Sequence, residues 1–201
     1  MLKLFINTYV KFFFLLTPFF LLTSFLAMTR HLDMRARRRV ALKVTLAIIA
    51  VCVTLLLIGQ QIFDVFGITL NSFRIGTGIL LFLSSITLVS GSAGAQSAEE
   101  HHDISVVPLA IPIAVGPATT GALLVMGVGL GNMTQILVGM AGLMAAIASA
   151  GTLLFLGGAI ERVVGRQGLV ILSKITGLVL AALAAEMVMN GVLGFLASMP
   201  R

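Results

Sequence analysis

The stretch A-I-P-I-A-V-G-P-A-T-T, Ala110–Thr120, decides how this chain is read. It lies in a strongly apolar run, yet it places Pro112, Gly116 and Pro117 within six residues. Proline is the worst helix residue and glycine the next worst. Pro117 has no N–H, so the carbonyl of Ile113 loses its i+4 donor. In lipid, a backbone group without a partner is costly, and such a break survives only where it is buried in protein or lines a wet cavity. The stretch therefore reads as a membrane span that is interrupted near its middle.

The surrounding composition agrees. The 201 residues are 59% hydrophobic and 10% charged, with mean hydropathy +1.13. A soluble domain is about 45–50% apolar and about 25% charged, so this chain reads as an all-α integral membrane protein. At about 20 residues per crossing, six apolar runs qualify. They cover roughly 4–28, 44–64, 71–91, 106–128, 134–160 and 169–197. The first is too long for a signal-peptide core and no A-x-A-like site follows, so it is read as a retained span. Lys11 within it is expected to snorkel to an interface. Cys52 stands alone, cannot form an internal disulfide, and reads as a small buried hydrophobe.

The net charge of +6 is concentrated in R-H-L-D-M-R-A-R-R-R, Arg30–Arg39, with Lys43 just beyond. That pattern sets membrane orientation and does not suggest nucleic-acid binding. Arg162 and Arg166, in the fifth connection, fall on the same side. The positive-inside rule puts that side in the cytoplasm and both termini in the periplasm. The polar linker after span three holds Glu99, Glu100, His101, His102 and Asp103. These types suit divalent ions, but they are consecutive and nothing fixes their geometry, so the segment reads as a solvated loop. No metal or cofactor is expected.

Pro18 sits midway along span one and Pro117 midway along span four, 99 positions apart. The same offset carries Thr77-Gly78 onto Thr176-Gly177 and Gly59 onto Gly158. Three spans per half is an odd number, so the second half enters the membrane in the opposite sense. The expected architecture is a single membrane domain, 1–201, built as a 3+3 inverted-topology repeat with broken helices one and four. Repeat one covers about 1–91, a cytoplasmic linker about 92–105 and repeat two about 106–201. Matched Gly/Pro-interrupted spans in inverted halves point to a transporter site at the midplane.

Each proline opens a new half-helix whose first N–H groups lack intrahelical partners, which suits an anion. Thr17, Pro18, Gly116, Pro117, Ala118, Thr119 and Thr120 are the candidate solute-binding residues. The carbonyls freed near Phe14 and Ile113 suit a cation. Two charges add to this set. Arg74 lies about 5 Å into span three and either snorkels or holds a solute carboxylate. Glu186 lies near the middle of span six, where an acid facing lipid is expensive. It is expected to face the bundle interior, as a hydrogen-bonded group, a partner of Arg74 or an ion-coupling residue.

In these same segments the chain resembles the MarC family of bacterial inner-membrane proteins. F-R-I-G-T-G-I-L-L-F, Phe73–Phe82, resembles the family's F-R-I-A-G-G-I-L-L-F. D-I-S-V-V-P-L-A-I-P-I-A-V-G-P-A-T-T, Asp103–Thr120, resembles its D-I-S-V-V-P-L-A-I-P-L-x-A-G-P-G, with Ala118 in place of the last Gly. N-G-V, Asn190–Val192, fits the end of its last span. Of the family's N-P-x-G-x-x-P-x-F in span one, Pro18 and Phe25 match, while Thr17, Phe20 and Thr23 replace Asn, Gly and Pro. The resemblance implies six spans, an inner membrane and transport of a small neutral amino acid.

The leading function is therefore a multi-pass secondary transporter or exporter of a small solute. The alternatives are a non-transporting membrane scaffold or regulator, or an exporter of other small metabolites or drugs. The sequence holds no Walker A, H-E-x-x-H or G-x-S-x-G string, so no enzyme is expected. The expected partners are the lipid bilayer and the solute. The small-residue stripe Gly139, Gly142, Ala146 and Ala150 in span five packs helices either within the chain or between copies in a homo-oligomer.

Overall fold

Prolines and capping residues divide the chain into its elements. The computed structural model describes residues 1–91, 114–129 and 131–198, and among these there are helices but no strand. They are α1 (Leu2–Leu15), α2 (Pro18–Met28), α3 (Met34–Phe66), α4 (Leu70–Ser90), α5 (Pro117–Gly129), α6 (Met133–Phe155) and α7 (Gly157–Ala197). Five stretches are long and apolar enough to cross a membrane: Leu2–Met28, Met34–Ile58, Leu70–Ser90, Met133–Phe155 and Gly157–Ala197. α5 is apolar but has only 13 residues, about 20 Å at 1.5 Å per residue, which is short of a bilayer core. The sequence expected span four to begin near residue 106. Residues 106–113, with Pro112 and Ile113, lie outside the described residues, as does the Glu99–Asp103 linker.

Two segments read as loops are helical. The basic cluster from Met34 onward belongs to α3, because Asp33 caps it and accepts the Ala36 N–H at 2.9 Å. α3 ends at Gly67, whose φ of 61° supplies the left-handed C-cap. The fifth connection is also helical: α7 starts at Gly157, only two residues after α6 ends. It bends at Gly165, where φ is 72°. Only glycine takes that angle without strain, so the short Arg162 helix can turn away from the span that follows.

The main packing pairs are α4 with α7, α1 with α6, α3 with α5, α4 with α5, α2 with α7 and α3 with α6. Close approach depends on small residues. A Cβ on Gly78 would lie 2.6 Å from Val188 Cγ2 and 3.0 Å from the Ala184 carbonyl. One on Gly177 would lie 2.8 Å from Val89 Cγ2 and 3.1 Å from the Ser85 carbonyl. The α6 stripe is settled the same way. Gly139, Gly142, Ala146 and Ala150 are all buried within the chain, and a Cβ on Gly142 would meet the Phe5 carbonyl at 2.9 Å. Cys52 is buried and free.

The bundle has two distinct ends. At the arginine-rich end, Arg37 donates to the Thr29 carbonyl at 3.1 Å, and the Arg38 guanidinium lies 4.9 Å from the Phe155 ring centre. At the terminal end, the start of α1 packs on α6, and Asn71 of α4 meets Gly191 of α7.

Candidate functional site

The first span breaks at Leu16–Thr17. Thr17 has φ 45° and ψ 56°, and it is the one positive-φ residue other than glycine among those described. Proline at 18 disfavours the right-handed region for the residue before it, and at Thr17 the chain turns left-handed instead. This costs of order 1–3 kcal/mol, a strain typical of functional positions. The turn also corrects one expectation. The Phe14 carbonyl is not free, because the Thr17 N–H bonds it at 2.9 Å in a tightened last turn.

The next carbonyl, Leu15, is reached from the other half of the molecule. Thr119 Oγ1 donates to Leu15 O at 3.0 Å and lies 3.4 Å from Ala114 O. One buried hydroxyl thus joins the break in span one to the start of α5. Both half-helices start with proline at the first turn, where a missing N–H costs nothing. Leu21 N–H bonds Thr17 O at 2.9 Å, and Thr120 N–H bonds Gly116 O at 2.9 Å. The N–H groups of Phe19 and Phe20, and of Ala118 and Thr119, precede those bonds and face the break.

Around this junction Thr17, Pro18, Ala118 and Thr119 are buried, Gly116 and Thr120 are half-buried, and Pro117 is exposed. Among the described residues, Thr17 Oγ1 is buried without a hydrogen-bond partner. Phe20 is half-buried and packs on the core.

Arg74 stands apart from the breaks, on the wall of a cavity of ≈ 240 Å³ at the terminal end. Asn7, Thr8, Lys11 and Phe12 of α1 line one side, and Ala122, Val125, Met126 and Gly129 of α5 another. Lys11 is the residue that sequence reasoning missed. It does not simply snorkel: it lines this cavity, within electrostatic reach of Arg74 and Glu186. The available signal was Asn7 and Lys11 at i and i+4, a polar stripe on an otherwise apolar helix. Glu186 departs from its expected place. It is exposed on the flank of α7, whose buried face runs through Thr176, Gly177, Leu180, Ala184, Met187 and Gly191.

A second cavity of ≈ 230 Å³ lies at the arginine-rich end. It is lined by Thr23, Leu26, Ala27 and Arg30, and by Glu161, Arg166, Leu169 and Val170. There Arg166 Nε and Glu161 Oε1 form an ion pair at 2.9 Å. Among the described residues no cluster of His, Cys, Asp and Glu is fit to hold a metal.

Comparison with known proteins gives a consistent result. The MarC family of integral membrane proteins matches residues 2–196. A UPF0056 membrane protein of Methanocaldococcus jannaschii is 32% identical, covering 97% of this chain and 98% of its own. One from Pyrococcus horikoshii is 29% identical over 96% of both chains. The UPF0056 membrane protein YhcE of Escherichia coli is 29% identical over 79% of this chain and 78% of its own. No solved structure matches. With apolar helices of spanning length and a family match along nearly its whole length, the chain belongs to the MarC family of integral membrane proteins.

Proposed function

We propose that this protein is a secondary transporter or exporter of a small neutral amino acid, which binds at the midplane between the two helix breaks. The observation that carries the reading is the Thr119–Leu15 hydrogen bond, which ties two proline breaks 99 positions apart into one junction. The solute carboxylate docks on the N–H groups of Ala118 and Thr119, as helix N-termini serve anionic groups in other transporter folds. Thr17, with a hydroxyl unpartnered among the described residues, and Thr120 supply further polar atoms. The ammonium faces carbonyls at the breaks. Glu186, within electrostatic reach of Lys11, is the coupling group.

The proposed scaffold is six crossings arranged as a 3+3 inverted repeat, and three observations support it. Exchanging span one with four, two with five and three with six turns the α4–α5 contact into α7–α2 and the α3–α5 contact into α6–α2, while α4–α7 and α3–α6 map onto themselves. The glycine contacts are reciprocal: Gly78 meets Ala184 and Val188, while Gly177 meets Ser85 and Val89, each position displaced by 99. One wall of each cavity also corresponds, since Thr23, Leu26, Ala27 and Arg30 map onto Ala122, Val125, Met126 and Gly129 at the same offset. Two vestibules at opposite ends of one junction suit alternating access, with the rocking of one repeat against the other. The arginine-rich end faces the cytoplasm by the positive-inside rule, with both termini periplasmic in a bacterial inner membrane.

The test is uptake of labelled glycine, L-alanine and L-serine into proteoliposomes containing the purified protein. Uptake above protein-free liposomes for at least one of them is expected. Background uptake for all three, with imposed pH and sodium gradients in either direction, would refute the reading.

A further inference from the structure

The two cavities share one equivalent wall, α2 in one and α5 in the other, but differ in how their charges are arranged. At the arginine-rich end the acid lies within the cavity wall, where Glu161 is paired to Arg166 beside Arg30. At the terminal end two cations, Lys11 from α1 and Arg74 from α4, line one cavity. Among the described residues neither makes a hydrogen bond or ion pair. Among the described residues, the acid whose charge reaches Lys11 is Glu186. Two cations and one acid then leave one positive charge unbalanced among the described residues. In a membrane, ionisable side chains normally pair or line a pathway, so an unbalanced cation calls for an anion from outside the protein.

The position fits a role in recognition. The α5 wall, Ala122 to Gly129, continues the half-helix that opens at Pro117, and Ala122 is three residues, about 4.5 Å, beyond Thr119. On α1, Lys11 is four residues, about 6 Å, from Leu15, whose carbonyl the Thr119 hydroxyl holds. The cavity therefore lies directly above the junction, on the same two helices. A volume of ≈ 240 Å³ suits one small solute and its water, at about 30 Å³ per water.

We propose that this cavity is a recognition vestibule for the anionic group of the solute, a monocarboxylate, held between Lys11 and Arg74. The inference deepens the transport reading and rests on it for the identity of the carboxylate as that of an amino acid. Lys11 and Arg74 select for the carboxylate before it passes to the N–H groups of Ala118 and Thr119. An amide or ester of the same solute leaves the cavity with its charge unbalanced and is rejected.

The test does not need a known solute. Met126 is half-buried and lines the cavity, and Cys52 is fully buried, so Met126→Cys offers one reactive thiol, with Cys52→Ala as a second background. Its rates with an anionic sulfonatoethyl and a cationic trimethylammonium-ethyl methanethiosulfonate are compared, each normalised to a free thiol in solution. The anionic reagent is expected to win by about tenfold or more. Lys11→Met and Arg74→Met should each lower the ratio, and the double variant should bring it near one. Lys11→Arg and Arg74→Lys should keep it, which separates charge from packing.

A ratio of one or less in the parent, or an unchanged ratio in the double variant, overturns the proposal. L-alanine should protect the thiol and L-alaninamide should not. If the amide protects as well as the acid, carboxylate selection is wrong. The transport reading fails separately: anion preference without any amino acid uptake removes that reading and leaves the vestibule standing, while uptake with a ratio of one does the reverse.

Discussion

The starts of α2 and α5 make the turn before proline with different residues, and the difference bears on the proposed site. Thr17 and Gly116 occupy equivalent positions at the offset of 99, just before Pro18 and Pro117. The β-branched threonine takes the left-handed conformation, whereas Gly116 is not among the positive-φ glycines. Three residues on, Phe20 stands where the second half has Thr119. Only the second break therefore reaches across, through the Thr119 hydroxyl to Leu15. Break one holds the strain and a buried hydroxyl unpartnered among the described residues; break two supplies the clasp. An arrangement serving stability alone would put glycine at the left-handed position and a partner on the hydroxyl. The strain at Thr17 is thus the stronger pointer to a ligand.

The largest stability effect is expected from the clasp. Thr119→Val keeps the shape but leaves the Leu15 carbonyl buried without its donor, at a cost of about 1–3 kcal/mol. Thermal unfolding in detergent measures it. A loss no larger than that of Thr120→Val would mean that the two breaks are not coupled through this bond.

The glycine pair tests the likeness of the halves. Gly78→Ala and Gly177→Ala each push a methyl into a backbone carbonyl and a valine across the α4–α7 contact. Overpacking costs about 1–3 kcal/mol against a helix gain of about 1, for a net loss of up to about 2. The two losses should agree within about 0.5 kcal/mol. A large loss at one and none at the other would break the equivalence.

Thr17→Gly should act in the opposite direction. It removes the left-handed strain of about 1–2 kcal/mol, against a chain-entropy cost of about 0.5–1. The variant should be up to about 1.5 kcal/mol more stable, and solute uptake should fall. A variant that is both more stable and equally active would show that the strain has no role at the site.

Much of this was legible in the sequence because proline acts locally. A missing N–H kinks or breaks a helix, so Pro18 and Pro117 mark the turns before α2 and α5. The left-handed sign at Thr17 was not legible, since proline restricts the preceding residue without saying which alternative it takes. The helical extensions at Met34 and Gly157 look like loops in the sequence because basic residues mark a membrane boundary but do not end a helix. Asp33 and Gly165, both visible in the sequence, decide those boundaries. Lys11 was assigned to the interface because its helix face depends on where α4 and α5 pack. Glu186 was assigned to the interior by cost alone, yet it lies beside the buried stripe of α7 and not on it.

That exposed position makes Glu186→Gln the mildest change for stability, within about 0.5 kcal/mol. If Glu186 couples ions, uptake by the variant should lose its dependence on an imposed pH gradient while solute binding persists. Unchanged gradient dependence would remove Glu186 from the coupling role and leave the comparison of the breaks untouched.

The central claim is that the helix must stay broken at Pro117 for solute to bind at the junction. Its most direct test is L-alanine uptake by Pro117→Ala beside the parent, both purified, with matched helical content by circular dichroism and reconstituted at equal density. Restoring an N–H at 117 lets the helix close over the break, so the account predicts at least a tenfold loss of uptake at unchanged helical content. Uptake equal to the parent would contradict it and reduce the broken segment to a kink.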